Sequence, residues 1–112
     1  MRVSFATNRL QRQFSSESEL KRAYGRDRAR KLMNRLAVLD AAPSLADVST
    51  TPPERRHPMK GDRSGQFVVD LVHPFRLVFK PDHDPLPRHP DGSIDLKAVT
   101  AIVVIEVVDY HD

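Results

Sequence analysis

Side chains able to do chemistry gather in three places. The run Arg55-Arg56-His57-Pro58-Met59-Lys60-Gly61-Asp62-Arg63 is densely basic, Arg76 interrupts an apolar stretch, and the last four residues are Asp109-Tyr110-His111-Asp112. Together they offer several cations, two imidazoles, a phenol and carboxylates. That set suits cleavage of an RNA strand without a metal. The 2′-OH must lose a proton, the phosphorane must be stabilised, and the departing 5′-oxygen must gain a proton. Histidine titrates near neutral pH and serves as base or acid, while lysine and arginine hold the charge that develops on phosphate oxygens. Each place also has a plain reading: His57 as a loop residue before a proline, Lys60-Gly61-Asp62-Arg63 as a charged turn, and the terminal residues as a polar tail. Asp82-His83-Asp84 matches no strong metal-ligand spacing, so neither a metal nor another cofactor is expected.

The elements that must position these residues are legible in outline. Val3-Ser4-Phe5 reads as a short first strand, and residues 6–13 as a helical turn or two. Ser15-Ser16-Glu17-Ser18-Glu19 reads as a helix start, with serine to cap free N–H groups and glutamates to suit the helix dipole. Helical spacing of Leu20, Ala23 and Tyr24, and then of Leu32, Met33, Leu36, Ala37 and Leu39, predicts helices over about 16–24 and 26–41, broken at Gly25. The second is expected to carry Arg26, Arg28, Arg30, Lys31 and Arg35 on its wet faces. Pro43 ends the helical half, residues 44–48 suggest one short turn, and residues 49–54 read as a loop.

After Pro53 the period changes from helical to two-fold. Gly65–Val72 sets Phe67, Val69 and Leu71 on one face and Gln66, Val68 and Asp70 on the other. Phe75, Leu77 and Phe79 then alternate with Arg76, Val78 and Lys80 across His73-Pro74, which predicts a β-hairpin. On that strand Arg76 must meet solvent, a carboxylate or an anionic ligand. Residues 81–97, rich in proline, are expected to form an extended loop, and residues 99–109, rich in valine and isoleucine, a long central strand. Helices followed by strands predict an α+β domain, with helices on one face of a mostly antiparallel sheet and the other face open to polar residues.

At 112 residues the chain fits a single domain, 1–112. It has no cysteine, which excludes a disulfide framework and a thiol nucleophile and fits a cytoplasmic setting. No apolar run approaches the roughly 20 residues of a membrane span, and Met1-Arg2-Val3-Ser4-Phe5 lacks the apolar stretch of a secretory signal. The net charge of +3 is unevenly spread. Residues 1–63 hold 14 lysines and arginines against 7 acidic residues, an excess of +7, and residues 64–112 hold 4 against 8, an excess of −4. A basic half raises the local concentration of a polyanion, although such charges also simply solvate helix faces.

The chain resembles the HigB branch of the RelE/ParE toxin superfamily. The likeness is carried by His57-Pro58-Met59-Lys60-Gly61-Asp62-Arg63-Ser64-Gly65-Gln66-Phe67, then Pro74-Phe75-Arg76-Leu77-Val78-Phe79, then Glu106-Val107-Val108-Asp109-Tyr110-His111, in that order over about half the chain. The resemblance implies a RelE-like α+β fold with N-terminal helices packed on a twisted, mostly antiparallel sheet. It implies the toxin of a type II toxin–antitoxin system, a ribosome-dependent endoribonuclease (an mRNA interferase) that cuts mRNA in the ribosomal A site. It also implies a helix-turn-helix, HigA-like antitoxin as partner, with no membrane association. Carried over residue by residue, His57, Asp109, Tyr110 and His111 are the catalytic cluster, and Lys60, Arg63 and Arg76 hold the scissile phosphate. Within the cluster, His111 is the preferred general base or acid. Asp109 orients it or shares the proton transfer, and Tyr110 stacks on a base or aligns the nucleophile. Two other readings share the fold: a ParE-like toxin that binds DNA gyrase without cutting RNA, and a partner-binding module without catalysis. Codon preference and the oligomeric state of the free protein stay open.

Overall fold

The computed structural model describes residues 1–109. A short strand, β1 (Arg2–Phe5), leads into three helices, α1 (Asn8–Gln13), α2 (Glu17–Tyr24) and α3 (Arg26–Ala41). Thr7 and Ser16 cap the first two, their hydroxyls accepting from the Leu10 and Glu19 amides. Gly25 separates α2 from α3 at φ +83°, a left-handed backbone that glycine adopts without strain. Four strands follow: β2 (His57–Pro58), β3 (Phe67–Asp70), β4 (Phe75–Pro81) and β5 (Ala101–Asp109). They form one five-stranded sheet in the order β1-β5-β4-β3-β2, with β1 parallel to β5 and every other pairing antiparallel. The expected α+β architecture is the observed one. Its middle strand is β4, however, and β5 lies one place toward the edge.

The main core lies between the helices and one sheet face. Leu20, Ala29, Leu32 and Leu39 pack there on Phe67, Val69, Leu71, Leu77, Phe79, Ile102 and Val104. The alternation read from the sequence therefore holds in β3 and β4. Arg35 departs from its expected wet face: it is 3% exposed. It falls three residues after Leu32 and four before Leu39, which puts it on the buried stripe of α3. Its guanidinium donates to the Asp70 carbonyl (2.7 Å), the Pro53 carbonyl (3.3 Å) and the Asn34 side-chain oxygen (2.6 Å). Those acceptors are what make a buried arginine tolerable.

The face turned away from the helices is also less polar than expected. Met59, Val68 and Val78 are buried on it, with Ile105 and Val108 packed against them. A β-bulge adds Val108 to this face. Val78 pairs with Glu106 while Phe79 pairs with Val104, so Ile105 is the extra residue. One extra residue reverses which way the rest of the strand faces. Ile102 and Val104 point to the helices before the bulge and Val107 after it, while Glu106 and Val108 turn to the opposite face.

Three smaller differences concern boundaries. β3 covers Phe67–Asp70 rather than 65–72, because Leu71 to Pro74 belong to the hairpin connection, where the Phe75 amide donates to the Val72 carbonyl. His57 and Pro58 form a strand, paired with Val68 and Phe67. The proline-rich segment after β4 holds internal order: Arg88 bridges Ile94, the His89 and Gly92 amides close a turn, and Leu96–Ala98 forms a 3-10 turn. His83 anchors this segment, its Nε2 accepting from the Thr100 (3.0 Å) and Ala101 (3.3 Å) amides. That occupied nitrogen leaves Asp82-His83-Asp84 shaped as a strand cap. No helix among the described residues is long and apolar enough to cross a membrane.

Candidate active site

Strand pairing lays out two adjacent rows on the face turned away from the helices. One runs His57–Val68–Val78–Glu106, and the next runs Asp70–Arg76–Val108. Cross-strand partners share a face, so these side chains rise from the same surface. Rows two residues apart along a strand are about 7 Å apart. The buried Val68, Val78 and Met59 form an apolar floor, and the polar groups stand around it.

His57 is partly exposed, and its Nδ1 lies 2.8 Å from the Arg55 carbonyl oxygen. A carbonyl can only accept, so this contact holds the proton on Nδ1 and leaves Nε2 as the nitrogen able to take up or release a proton. The carbonyl is aimed there by an unusual backbone: Arg55 sits at φ +46°, the left-handed region, without being glycine. Its amide donates to the Thr51 carbonyl and its guanidinium to Asp70 Oδ2 at 3.1 Å.

Arg76 is largely covered, with 17% of its side chain exposed, and its Nε lies 3.4 Å from Asp70 Oδ1. Asp70 Oδ1 is buried without a hydrogen-bond partner among the described residues. The two observations are compatible: the Arg76 contact is an ion pair by distance but not an aligned hydrogen bond. Asp70 thus stands between two arginines, and the carboxylate expected as one option for Arg76 is found. Next to it, Arg56 donates from Nε to the Val48 carbonyl at 2.9 Å, and partial burial pulls its pKa down.

Arg63 lies across the floor from Asp70. It closes the turn Gly61–Arg63, donates to Gln66 Oε1 at 2.9 Å and pairs with Glu106 at 2.5 Å. Gly61 occupies φ +65°, which is why a glycine is needed at the head of this turn. Both members of the Arg63–Glu106 pair are over a third exposed, so the pair contributes at most about 1 kcal/mol and can open to another anion. Lys60 is exposed beside the turn.

The site residues expected from the sequence are therefore divided. His57, Arg63 and Arg76 come to one face. Asp109 is exposed at the end of β5 and pairs with Phe75, a residue of the helix-side core, so the register sets it on the other face. Tyr110 and His111 lie outside the described residues. The sequence placed Arg55 in the basic run without giving it a role, and Asp70 and Glu106 were not among the expected site residues. Asp70 had a usable signal: it is a carboxylate on an apolar strand that the hairpin register sets directly opposite Arg76.

No protein-family model matches the chain, and no curated protein matches it in sequence. Among solved structures, a YoeB/ParE toxin from Agrobacterium tumefaciens superposes on it with a TM-score of 0.59, over 99% of this chain and 100% of that one, at 12% sequence identity. A likeness at that identity is a likeness of fold, and the chain has the α+β fold of the RelE/ParE-type toxins.

Proposed function

We propose that this chain is the toxin of a type II toxin–antitoxin pair and acts as a ribosome-dependent endoribonuclease of the HigB kind, neutralised by a helix-turn-helix, HigA-like antitoxin. One observation carries the reading. The sequence blocks 57–67, 74–79 and 106–109, far apart in the chain, lie on neighbouring strands of one sheet in a RelE/ParE-type fold. Together they give one face a histidine and two arginines around a buried apolar patch.

The chemistry follows from those groups. A base takes the proton of the 2′-OH, whose oxygen attacks the adjacent phosphorus. Arginine and lysine hold the extra negative charge of the phosphorane. The bond to the 5′-oxygen breaks as an acid protonates it, leaving a 2′,3′-cyclic phosphate and a 5′-hydroxyl. In this reading His57 and His111 divide the base and acid roles, Arg76, Arg63 and Lys60 hold the phosphate, and Tyr110 stacks on a base or aligns the nucleophile. Asp109 acts on His111 from the end of β5.

Brief induction of the protein in a bacterium, followed by mapping of mRNA 5′ ends, tests this. New ends are expected in translated frames and not in untranslated RNA. His111→Gln is expected to reduce cleavage by about 10²–10⁴-fold, the usual share of an acid–base group, with unchanged thermal unfolding. A folded His111→Gln protein that still cleaves overturns the assignment. Growth arrest with intact mRNA transfers the reading to a gyrase-type target, and no arrest favours a partner-binding module.

A further inference from the structure

We propose that Arg55 is a third phosphate-binding arginine, beside Arg63 and Arg76, and that Asp70 is the positioning residue that holds Arg55 and Arg76 side by side as one clamp. The inference rests on the RNA reading above. The resemblance gave a role to Arg76 but none to Arg55 or Asp70.

Three observations converge on it. First, one carboxylate serves two guanidinium groups, with Asp70 Oδ2 3.1 Å from Arg55 Nη1 and Oδ1 3.4 Å from Arg76 Nε. Arg55 keeps 52% of its side chain exposed and Arg76 17%. The pair therefore presents one open and one sheltered cation on the same face as His57.

Second, the backbone of Arg55 is held in a left-handed conformation that a side-chain-bearing residue rarely adopts. Strain of this kind persists where surrounding contacts over-determine it, and it concentrates at functional sites. Here it achieves two alignments together: the Arg55 side chain reaches Asp70 while its carbonyl fixes His57 Nδ1. The histidine and the clamp are thereby set in one geometry.

Third, the support beneath is built and buried. Arg35 donates from the core to the carbonyls of both Asp70 and Pro53, and the Asp70 amide donates to the Glu54 carbonyl. A surface ion pair formed by chance has no such foundation. The arginine fork, with several donors in a fixed plane, can satisfy Asp70 on one edge and a phosphate on the other.

The test is equilibrium binding of a labelled single-stranded oligoribonucleotide by the full chain across a salt series, alongside thermal melts and cleavage assays. Each single-strand phosphate contact contributes about 0.7 to the slope of log K against log salt. Arg55→Gln is expected to lower the slope by about that amount and to weaken binding several-fold. Arg55→Lys is expected to restore the slope but not the full affinity, because a point charge replaces the fork. Arg22→Gln, an exposed arginine on α2 paired with Glu19, is the control expected to change nothing. An unchanged slope in Arg55→Gln, with only a lowered melting temperature, overturns the clamp and makes the contact a structural tie. Cleavage with that unchanged slope leaves the ribonuclease reading intact. Binding that depends on Arg55 while mRNA stays intact on translating ribosomes keeps the clamp and removes the ribonuclease. Wild-type protein that binds no RNA even at low salt overturns the clamp, and mRNA cleavage on translating ribosomes then decides the ribonuclease reading separately.

Discussion

At the scale of single residues, arginines in this chain do three different jobs that composition alone cannot separate. Arg55 and Arg76 share a carboxylate on an open face, Arg28 lies 3.8 Å from the centre of the Phe75 ring, and Arg35 is buried against backbone carbonyls. The last is the most consequential for the site, because the carbonyls it holds belong to Asp70 and to the loop before β2. Arg35→Met keeps the apolar stem but removes the donors, leaving those carbonyls without their partner. We expect a loss of about 2–3 kcal/mol, the usual cost of stranding partners of a charged donor, seen as a lower midpoint in urea unfolding. Wild-type stability in Arg35→Met means that water replaces the guanidinium and that Arg35 does not support Asp70. The difference between Arg35 and Arg30 is one of helical phase: Arg35 falls in line with Leu32 and Leu39, a phase visible in the sequence, whereas the distant carbonyls that hold its guanidinium are not.

At the scale of elements, the decisive features are a bulge and a cap. Without the extra residue at Ile105, alternation from Ile102 and Val104 would carry Glu106 and Val108 into the helix-side core. The bulge sends Glu106 to Arg63 and Val108 to the apolar floor, and so lets one strand serve the core in its first half and the site in its second. The cap is His83, whose single ring nitrogen receives two backbone N–H groups at the start of β5. His83→Ala leaves both without that acceptor. The amides of Thr100 and Ala101 are then expected to exchange with solvent faster, by roughly fivefold if about 1 kcal/mol of local protection is lost, while amides in α3 keep their rates. Unchanged exchange at both positions means that the proline-rich segment does not hold β5.

At the scale of the whole molecule, the chain closes on itself. β1, the first strand, pairs with β5, the last, from Arg2↔Ala101 to Phe5↔Val104, and α1 to α3 and then β2 to β4 lie between them in the chain. Strands so distant in sequence make folding depend on contacts that cost much loop entropy before they gain anything. Removing residues 1–6 is expected to expose one side of β5 over Ala101–Val104 and to abolish cooperative unfolding in a denaturant titration. A truncated protein that still unfolds in one sharp transition means that β1 is dispensable and that the helices and the antiparallel strands suffice.

The sequence by itself determined the local elements. Capping residues and helical spacing set α2 and α3, and two-fold alternation set the hairpin and its core face, because these depend on neighbours a few residues away. The α+β class followed from their order. The pairing of Asp70 with Arg76 was also within reach, since a hairpin fixes its own register. The tertiary structure decided the rest. The two-residue strand at His57 exists because β3 offers a free edge. The bulge at Ile105 exists because one strand must match two requirements, and the burial of Arg35 depends on carbonyls that arrive from distant segments. Each of these rests on a partner remote in the chain, and no pattern along a single sequence records where such a partner will stand.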